Sequence, residues 1–273
     1  MNTQTIQRQY DEVVAEHYDF DPQGVTAGSL DRALAQLRAW ASGDGPDPLR
    51  VLDLGMGTGL FLGRLAALFG DRVVPFGVDV SEKMIDRARG RVPGLTAAVD
   101  TAARFDAHFP GQSFDLVCTH LVTGFVPMRV LAPLIHARLD DGGCWSFVGG
   151  TMAGFPALQA KADAPLVRWL GGKPAVAADE IVCNPVDRDE VVRTLEENGF
   201  AVRACETFEP KVEFPDFDRF IEFAYRGGWL TPFVEAAGLH KAGWLTQFLM
   251  NRFVFPMTDK HNVVIALAEK VEG

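Results

Sequence analysis

The stretch VLDLGMGTGLFLGRLAALFG, residues 51–70, sets Gly55, Gly57 and Gly59 between an apolar run and a helical pattern of Leu, Phe and Ala. Each glycine weakens local order by roughly 0.5–1 kcal/mol relative to alanine, so three in succession need a reason. The usual one is close approach of backbone to a ligand held at a helix N-terminus. The plainer alternative is a tight turn that serves only strand–helix packing. The stretch also opens a regular alternation. Apolar runs RVLDLG, VVPFGVDV, LTAAVD, FDLVCTHL and CWSFVGG are separated by a connection or by helical patterns over residues 60–69, 81–91 and 128–139. Such alternation predicts an α/β fold with a parallel sheet covered on both faces.

The flanks read differently. Residues 4–20 predict a helix with Tyr10, Val13, Val14, His17 and Tyr18 on one face, and residues 29–41 a second helix with Ser29 as its cap. The expected organisation is N-terminal cap helices over 1–42, a ligand-binding core over 43–150 and a helical insertion over 151–186. A core helix and strand follow over 187–213, with Gly199 closing the helix, then an aromatic helical lid over 214–258 and a final core strand over 259–273. Most lid aromatics are expected to pack on one another, and a few to face a bound molecule.

Composition narrows the partners. A formal net charge of −10 and a pI near 5.1 argue against a nucleic-acid backbone as the main partner. Cys118, Cys144, Cys183 and Cys205 are scattered without a C-x-x-C pair, which predicts reduced thiols and no metal centre. The first residues lack an apolar secretory core, and no run of ~18 apolar residues could span a bilayer. A cytoplasmic protein without a membrane or nucleic-acid partner is the expectation.

In FGVDVSEKM, Asp79 ends the second apolar run, where a carboxylate can accept from the hydroxyls of a ribose lying over the glycine loop. It could instead cap the next helix, but Ser81 suits that role. The G-x-G-x-G spacing differs from the G-x-G-x-x-G of pyrophosphate-binding dinucleotide enzymes, which makes an NAD-type oxidoreductase the weakest reading.

Taken together, VLDLGMGTG, GVDVSEKMIDRAR, FDLVCTHL, DDGGCWSFVG and the lead-in YDEVVAEHYD resemble class I S-adenosylmethionine-dependent methyltransferases of the small-molecule type. The resemblance runs from Tyr10 to about Gly150. It implies a Rossmann-like, doubly wound, mostly parallel seven-stranded sheet with a reversed final hairpin. S-adenosyl-L-methionine is the implied cofactor, leaving as S-adenosyl-L-homocysteine. Asp53, Gly55 and Gly57 would face the methionine part, with Thr58 and Gly59 completing the loop. Asp79 would hold the ribose, Val80 and Met84 would pack on the adenine, and Asp100 with Thr101 would meet the adenine edge. The plainer alternative for Asp100 is a solvated loop carboxylate. The family's histidine pair after the fourth strand is replaced here by Val122-Thr123-Gly124-Phe125. That leaves Thr119 and His120 as the nearest polar groups, with His120 either lining the acceptor site or serving structure.

Methyl transfer needs positioning and water exclusion more than a strong acid or base. A base matters only where the acceptor must lose a proton, and Tyr10, His17, Tyr18, His120 and His240 are the candidates. The acceptor is expected to be small and either apolar or cationic, since the lid is aromatic. A non-methylating enzyme on the same fold and a cofactor-binding protein without turnover stay open as alternatives.

Overall fold

The computed structural model describes residues 3–40, 46–162 and 182–271. Strand β1 (Leu49–Leu54) runs through the middle of a seven-stranded sheet, flanked by β2 (Val73–Asp79) and β4 (Phe114–His120), both parallel to it. With β3 (Thr96–Val99), β5 (Leu139–Gly150), β6 (Phe200–Phe208) and β9 (Val263–Lys270), the strand order is β3-β2-β1-β4-β5-β9-β6. Only β9 runs against its neighbours, pairing antiparallel with both β5 and β6. The expected doubly wound sheet with a reversed final hairpin is therefore observed. Because β4 is buried along its whole length, its sequence is apolar on both sides of the pleat instead of alternating.

Helices α3 (Leu60–Phe69) and α4 (Glu82–Arg91) cover one face together with α2 (Val25–Trp40). Helices α5 (Met128–Arg138) and α7 (Arg188–Glu197) cover the other, where Leu131, Ile135, Val191 and Leu195 pack against Trp145. Between α5 and α7, the described residues include helix α6 (Pro156–Ala162). The rest of the insertion expected at 151–186 lies largely outside the described residues. Ser81 caps α4 by accepting from the Met84 N–H at 3.1 Å, as its sequence position indicated.

Helix α2 starts four residues before Ser29. The carboxylate of Asp21 accepts from the Val25 and Ala27 N–H groups at 3.0 and 2.7 Å and so supplies the cap. Ser29 lies buried within the helix, its hydroxyl donating to the Val25 carbonyl. The N-terminal segment is also not one continuous helix. Helix α1 (Thr3–Gln9) widens into a π-turn over Tyr10–Val14, and turns carry the chain to Asp19. Residues 10–20 are called the strap below.

The aromatic segment forms helices α8 (Phe217–Ile221), α9 (Thr231–Ala236) and α10 (Trp244–Phe253), with a second π-turn over Glu222–Arg226. Its base is a two-stranded antiparallel sheet, β7 (Lys211–Phe214) with β8 (Met257–Lys260), which the sequence pattern did not suggest. Phe214, Phe217, Phe220, Phe223 and Phe255 pack together above it.

Candidate functional site

The sheet changes direction of growth at β1: the chain goes outward to β2 and β3, then returns to β4 on the other side. The loops leaving β1 and β4 therefore part at the carboxyl edge and leave a crevice, where open α/β sheets bind ligands. The glycine loop lies along it. Gly55, Gly57 and Gly59 take φ of 72°, 55° and 71°, the left-handed region that side chains disfavour. A Cβ on Gly55 would stand 2.6 Å from Val122 of the loop after β4, and one on Gly57 would stand 3.1 Å from the Tyr18 ring. The loop is thus pinned to β2 below, by Gly55 N–H to the Val78 carbonyl at 2.8 Å, and roofed by the strap above.

Two carboxyl groups are buried beneath it. Asp79 accepts from Gly57 N–H at 2.8 Å and from Ser81 N–H at 2.9 Å, so it braces the loop as well as facing the crevice. Burial raises it to about 6; the Ser81 and Gly57 N–H groups counter the rise and Asp11 adds to it. Asp53, at the end of β1, keeps Oδ1 enclosed without a hydrogen-bond partner, and burial together with the Asp79 charge raises it to about 7. An enclosed carboxyl oxygen with nothing to accept is costly unless a ligand supplies the donor or the cation.

The strap is fastened by two aspartates that sequence reading passed over in favour of their tyrosine neighbours. Asp11 accepts from the Ser81 hydroxyl at 2.6 Å. Asp19 accepts from the Thr58 hydroxyl and from Arg91 and Arg87, the last two at 2.7 and 3.1 Å. Arg91 also donates to the Thr58 carbonyl at 2.9 Å. Thr58 is therefore engaged in holding strap to loop. Tyr10 and Tyr18 lie half-buried over the crevice, with ring centroids 6.5 Å apart. Burial first, then the neighbouring phenol for Tyr10 and nearby carboxylates for both, holds both phenols protonated well beyond neutral pH. They can donate a hydrogen bond and are poor candidates for a base.

Other expected site residues separate. Met84 is fully buried in a small core with Val14 and Ala15, so it packs on the strap, while Val80 stays half-buried beside Asp79. Thr119 accepts from the Trp145 indole N–H at 2.8 Å within the buried core, away from the crevice. His120 lies edge-on to Phe61 with centroids 4.2 Å apart and pairs Nε2 with the Ser146 hydroxyl at 3.0 Å. Its Nδ1 is enclosed and unpartnered, and burial lowers it to about 3, so the ring is neutral. Asp100 accepts from the Thr101 N–H at 2.8 Å and pairs with His108 Nε2 at 2.8 Å. Burial would raise it, but His108, Thr101 and Arg104 outweigh that and hold it below the usual carboxylate range. His240 packs on Tyr225 in the lid, with centroids 5.2 Å apart.

His261 went unnoticed in the sequence because its neighbours come from distant segments. It precedes β9, whose antiparallel course brings it to the carboxyl end of β5, where a Cβ on Gly150 would meet its ring at 3.0 Å. It stacks on Phe155 at 4.3 Å and meets Trp229 edge-on at 5.1 Å. Its Nδ1 is enclosed without a partner, and burial lowers it to about 4. Leu121 and Phe155 are, among the described residues, the non-glycine residues with left-handed φ, 61° and 56°. Such strain persists only where surroundings enforce it. Beside the strap, a small cavity is lined by His17, Phe20, Asp21, Glu222, Phe223 and Trp229, with Pro22 and Gly227.

A sheet of this order, a braced glycine loop and paired acids at the first two strand ends define the class I S-adenosylmethionine-dependent methyltransferase fold. Residues 51–143 match the model of the methyltransferase domain. The chain is 32% identical over 114 residues to phosphatidylethanolamine N-methyltransferase of Cereibacter sphaeroides, covering 40% of this chain and 51% of that one. It is 34% identical over 97 residues to trans-aconitate 2-methyltransferase of Methylobacterium radiotolerans, covering 35% and 36%. The matched parts are thus about half or less of these relatives' length. Phosphoethanolamine N-methyltransferase 2 of Haemonchus contortus, solved with S-adenosyl-L-methionine, shares the fold with a TM-score of 0.58 at 18% identity over 100% of this chain and 60% of that one. No helix among the described residues is long and apolar enough to cross a membrane.

The residues present fit the family's cofactor. Asp53 offers an unpartnered buried oxygen at the end of β1, and no cation hydrogen-bonds or pairs with Asp53 or Asp79 among the described residues. A cationic ligand bearing hydroxyl donors favours the ionised carboxyls, so binding must release protons held near neutral pH. Affinity for S-adenosylmethionine should therefore rise roughly tenfold per pH unit between about pH 5.5 and 7, then level off. Calorimetry in buffers of different ionisation enthalpy reads the released protons. A flat affinity across that window with no buffer dependence contradicts the assignment.

Proposed function

We propose that the protein transfers the methyl group of S-adenosylmethionine to a small amine, with residues 43–150 and 187–213 as cofactor core and 1–42, 151–186, 214–258 as the cover over the acceptor. When bound, the cofactor supplies an electrophilic methyl carbon and a thioether leaving group. Asp53, Gly55, Gly57 and Asp79 hold it, and Tyr10 and Tyr18 close the crevice against water.

The observation that carries the choice of acceptor is the lining beside the strap: Phe20, Phe223 and Trp229, with the carboxylates of Asp21, which also caps α2, and Glu222, which also pairs with Arg219. Aromatic faces and carboxylates attract an ammonium and repel a polycarboxylate or a diphosphate. The name of the Cereibacter relative, an amine methyltransferase, agrees with this, and that of the trans-aconitate enzyme does not. An amine attacks only as the free base, so the site must accept a hydrogen bond from its N–H. His17 and His261 each keep Nδ1 enclosed and unpaired, and His261 is neutral at any physiological pH. Its role is to orient the acceptor's N–H, not to store the proton.

Incubation with a panel of amines and carboxylic acids, following S-adenosylhomocysteine, tests the reading. Turnover of amines supports it; turnover confined to carboxylic acids overturns it. The His261→Ala variant is expected to lose about 100-fold in kcat/KM for the amine while keeping its cofactor affinity. An equal loss in cofactor binding would mean that His261 serves the fold and not the acceptor.

A further inference from the structure

Helix α10 turns its largest apolar side chains outward. Trp244 is 78% exposed, Phe248 59%, Phe253 55% and Leu245 53%, while Met250 is its buried contact. Surface apolar residues scattered singly need no explanation, but four on one ten-residue helix form a patch. The charge along the segment itself is one-sided, whereas the adjoining α8 carries Asp216 as its cap and Asp218. From Ala236 to Met257 the sequence holds no Asp or Glu, in a chain with 36 acidic residues and a net charge of −10. Lys241 precedes the helix, Arg252 lies over the Phe253 ring, and Lys161 donates to the Val254 carbonyl at its end.

We propose that α10 docks the protein onto an anionic lipid surface, with Trp244, Leu245, Phe248 and Phe253 entering the headgroup region and Lys241 and Arg252 meeting the lipid charges. The charge pattern selects this occupant. A two-fold contact between copies would set Lys241 and Arg252 of one against those of the other, with no acid in the segment to pair them. A cationic rim around Trp, Leu and Phe is what an interfacial helix presents to anionic lipid. Such docking lies in the plane of the membrane and needs no spanning helix. Helix α10 is tied to α8 through Asn251, whose side-chain oxygen accepts from the Phe217 N–H at 2.8 Å. Helix α8 runs straight into the π-turn over Glu222–Arg226, whose Glu222 and Phe223 line the cavity beside the strap.

Co-sedimentation of the intact protein with phosphatidylcholine vesicles, plain or containing about one-third phosphatidylglycerol, tests this. Binding is expected to the anionic vesicles, weakening with salt. It should be lost in the double variant Trp244→Ser, Phe248→Ser and reduced about tenfold in Lys241→Glu. These side chains are exposed, so melting temperatures should not move. Absence of binding to either vesicle, or binding unchanged in the double variant, overturns the proposal. A dimer that the double variant converts to monomer, without vesicle binding by either, assigns the patch to a second copy instead.

Discussion

The Asp53→Asn variant is expected to melt at a higher temperature than the parent protein at pH 8, while losing most of its affinity for S-adenosylmethionine. In the folded protein Asp53 holds its proton up to about pH 7, against an ordinary value of 3.8. The folded state therefore binds more protons than the unfolded chain across that interval. Stability from this group is full below about pH 4 and is lost as pH rises through 7. Above that, the ionised, enclosed carboxylate costs a few kcal/mol, about 4 by the size of the pKa change alone. An asparagine avoids the charge but brings an amide with its own unmet hydrogen bonds, which offsets part of the gain. A net stabilisation of about 2 kcal/mol, or roughly 4–8 °C, is expected at pH 8 and little at pH 4. Thermal melts of both proteins at the two pH values check this. A variant less stable than the parent at pH 8 would show that Asp53 is held by the fold and not kept for a ligand. Function at the expense of stability is the pattern expected of a binding site.

The second large effect is at Gly57. Its φ of 55° and the Tyr18 ring 3.1 Å from a built Cβ impose separate costs. Alanine meets the ring and a left-handed backbone at roughly 1–2 kcal/mol, and valine adds a branched Cβ that this conformation does not accommodate. Gly57→Ala is expected to bind S-adenosylhomocysteine about tenfold more weakly, and Gly57→Val beyond detection. The Gly57 N–H also donates to Asp79, so a displaced loop uncouples the acid that braces it. A folded Gly57→Val protein that binds normally would reduce the loop to a turn.

What could be read from sequence divides by the range of the interactions. Strand and helix identities were legible because burial on both faces writes continuous apolar runs and amphipathic helices. Residues 60–69 matched α3 at both ends, and Ser81 could be read as a cap because it needs only the next three residues. Asp21 was missed as the cap of α2 because it precedes the helix by four residues and Ser29 offered a nearer candidate. Thr119 and His120 looked equivalent in the sequence, but neighbours on a strand point to opposite faces, and Trp145 takes the threonine. Asp11 and Asp19 gave no local sign, since Ser81 and Thr58 lie 70 and 39 residues away. His261 is the extreme case, as Phe155, Trp229 and Gly150 meet it only through the closed sheet and the lid.

The clasp of Asp11 and Asp19 on Ser81, Thr58, Arg87 and Arg91 has a consequence for how the crevice opens. It closes with charge-assisted hydrogen bonds at a half-exposed seam, beside the small apolar core of Val14, Ala15 and Met84. Contacts of that kind are exchanged readily for water, so the strap lifts without disturbing the sheet beneath it. Tyr10 directly precedes Asp11 and Tyr18 directly precedes Asp19, so the two tyrosines lift off the crevice only when the two aspartates let go.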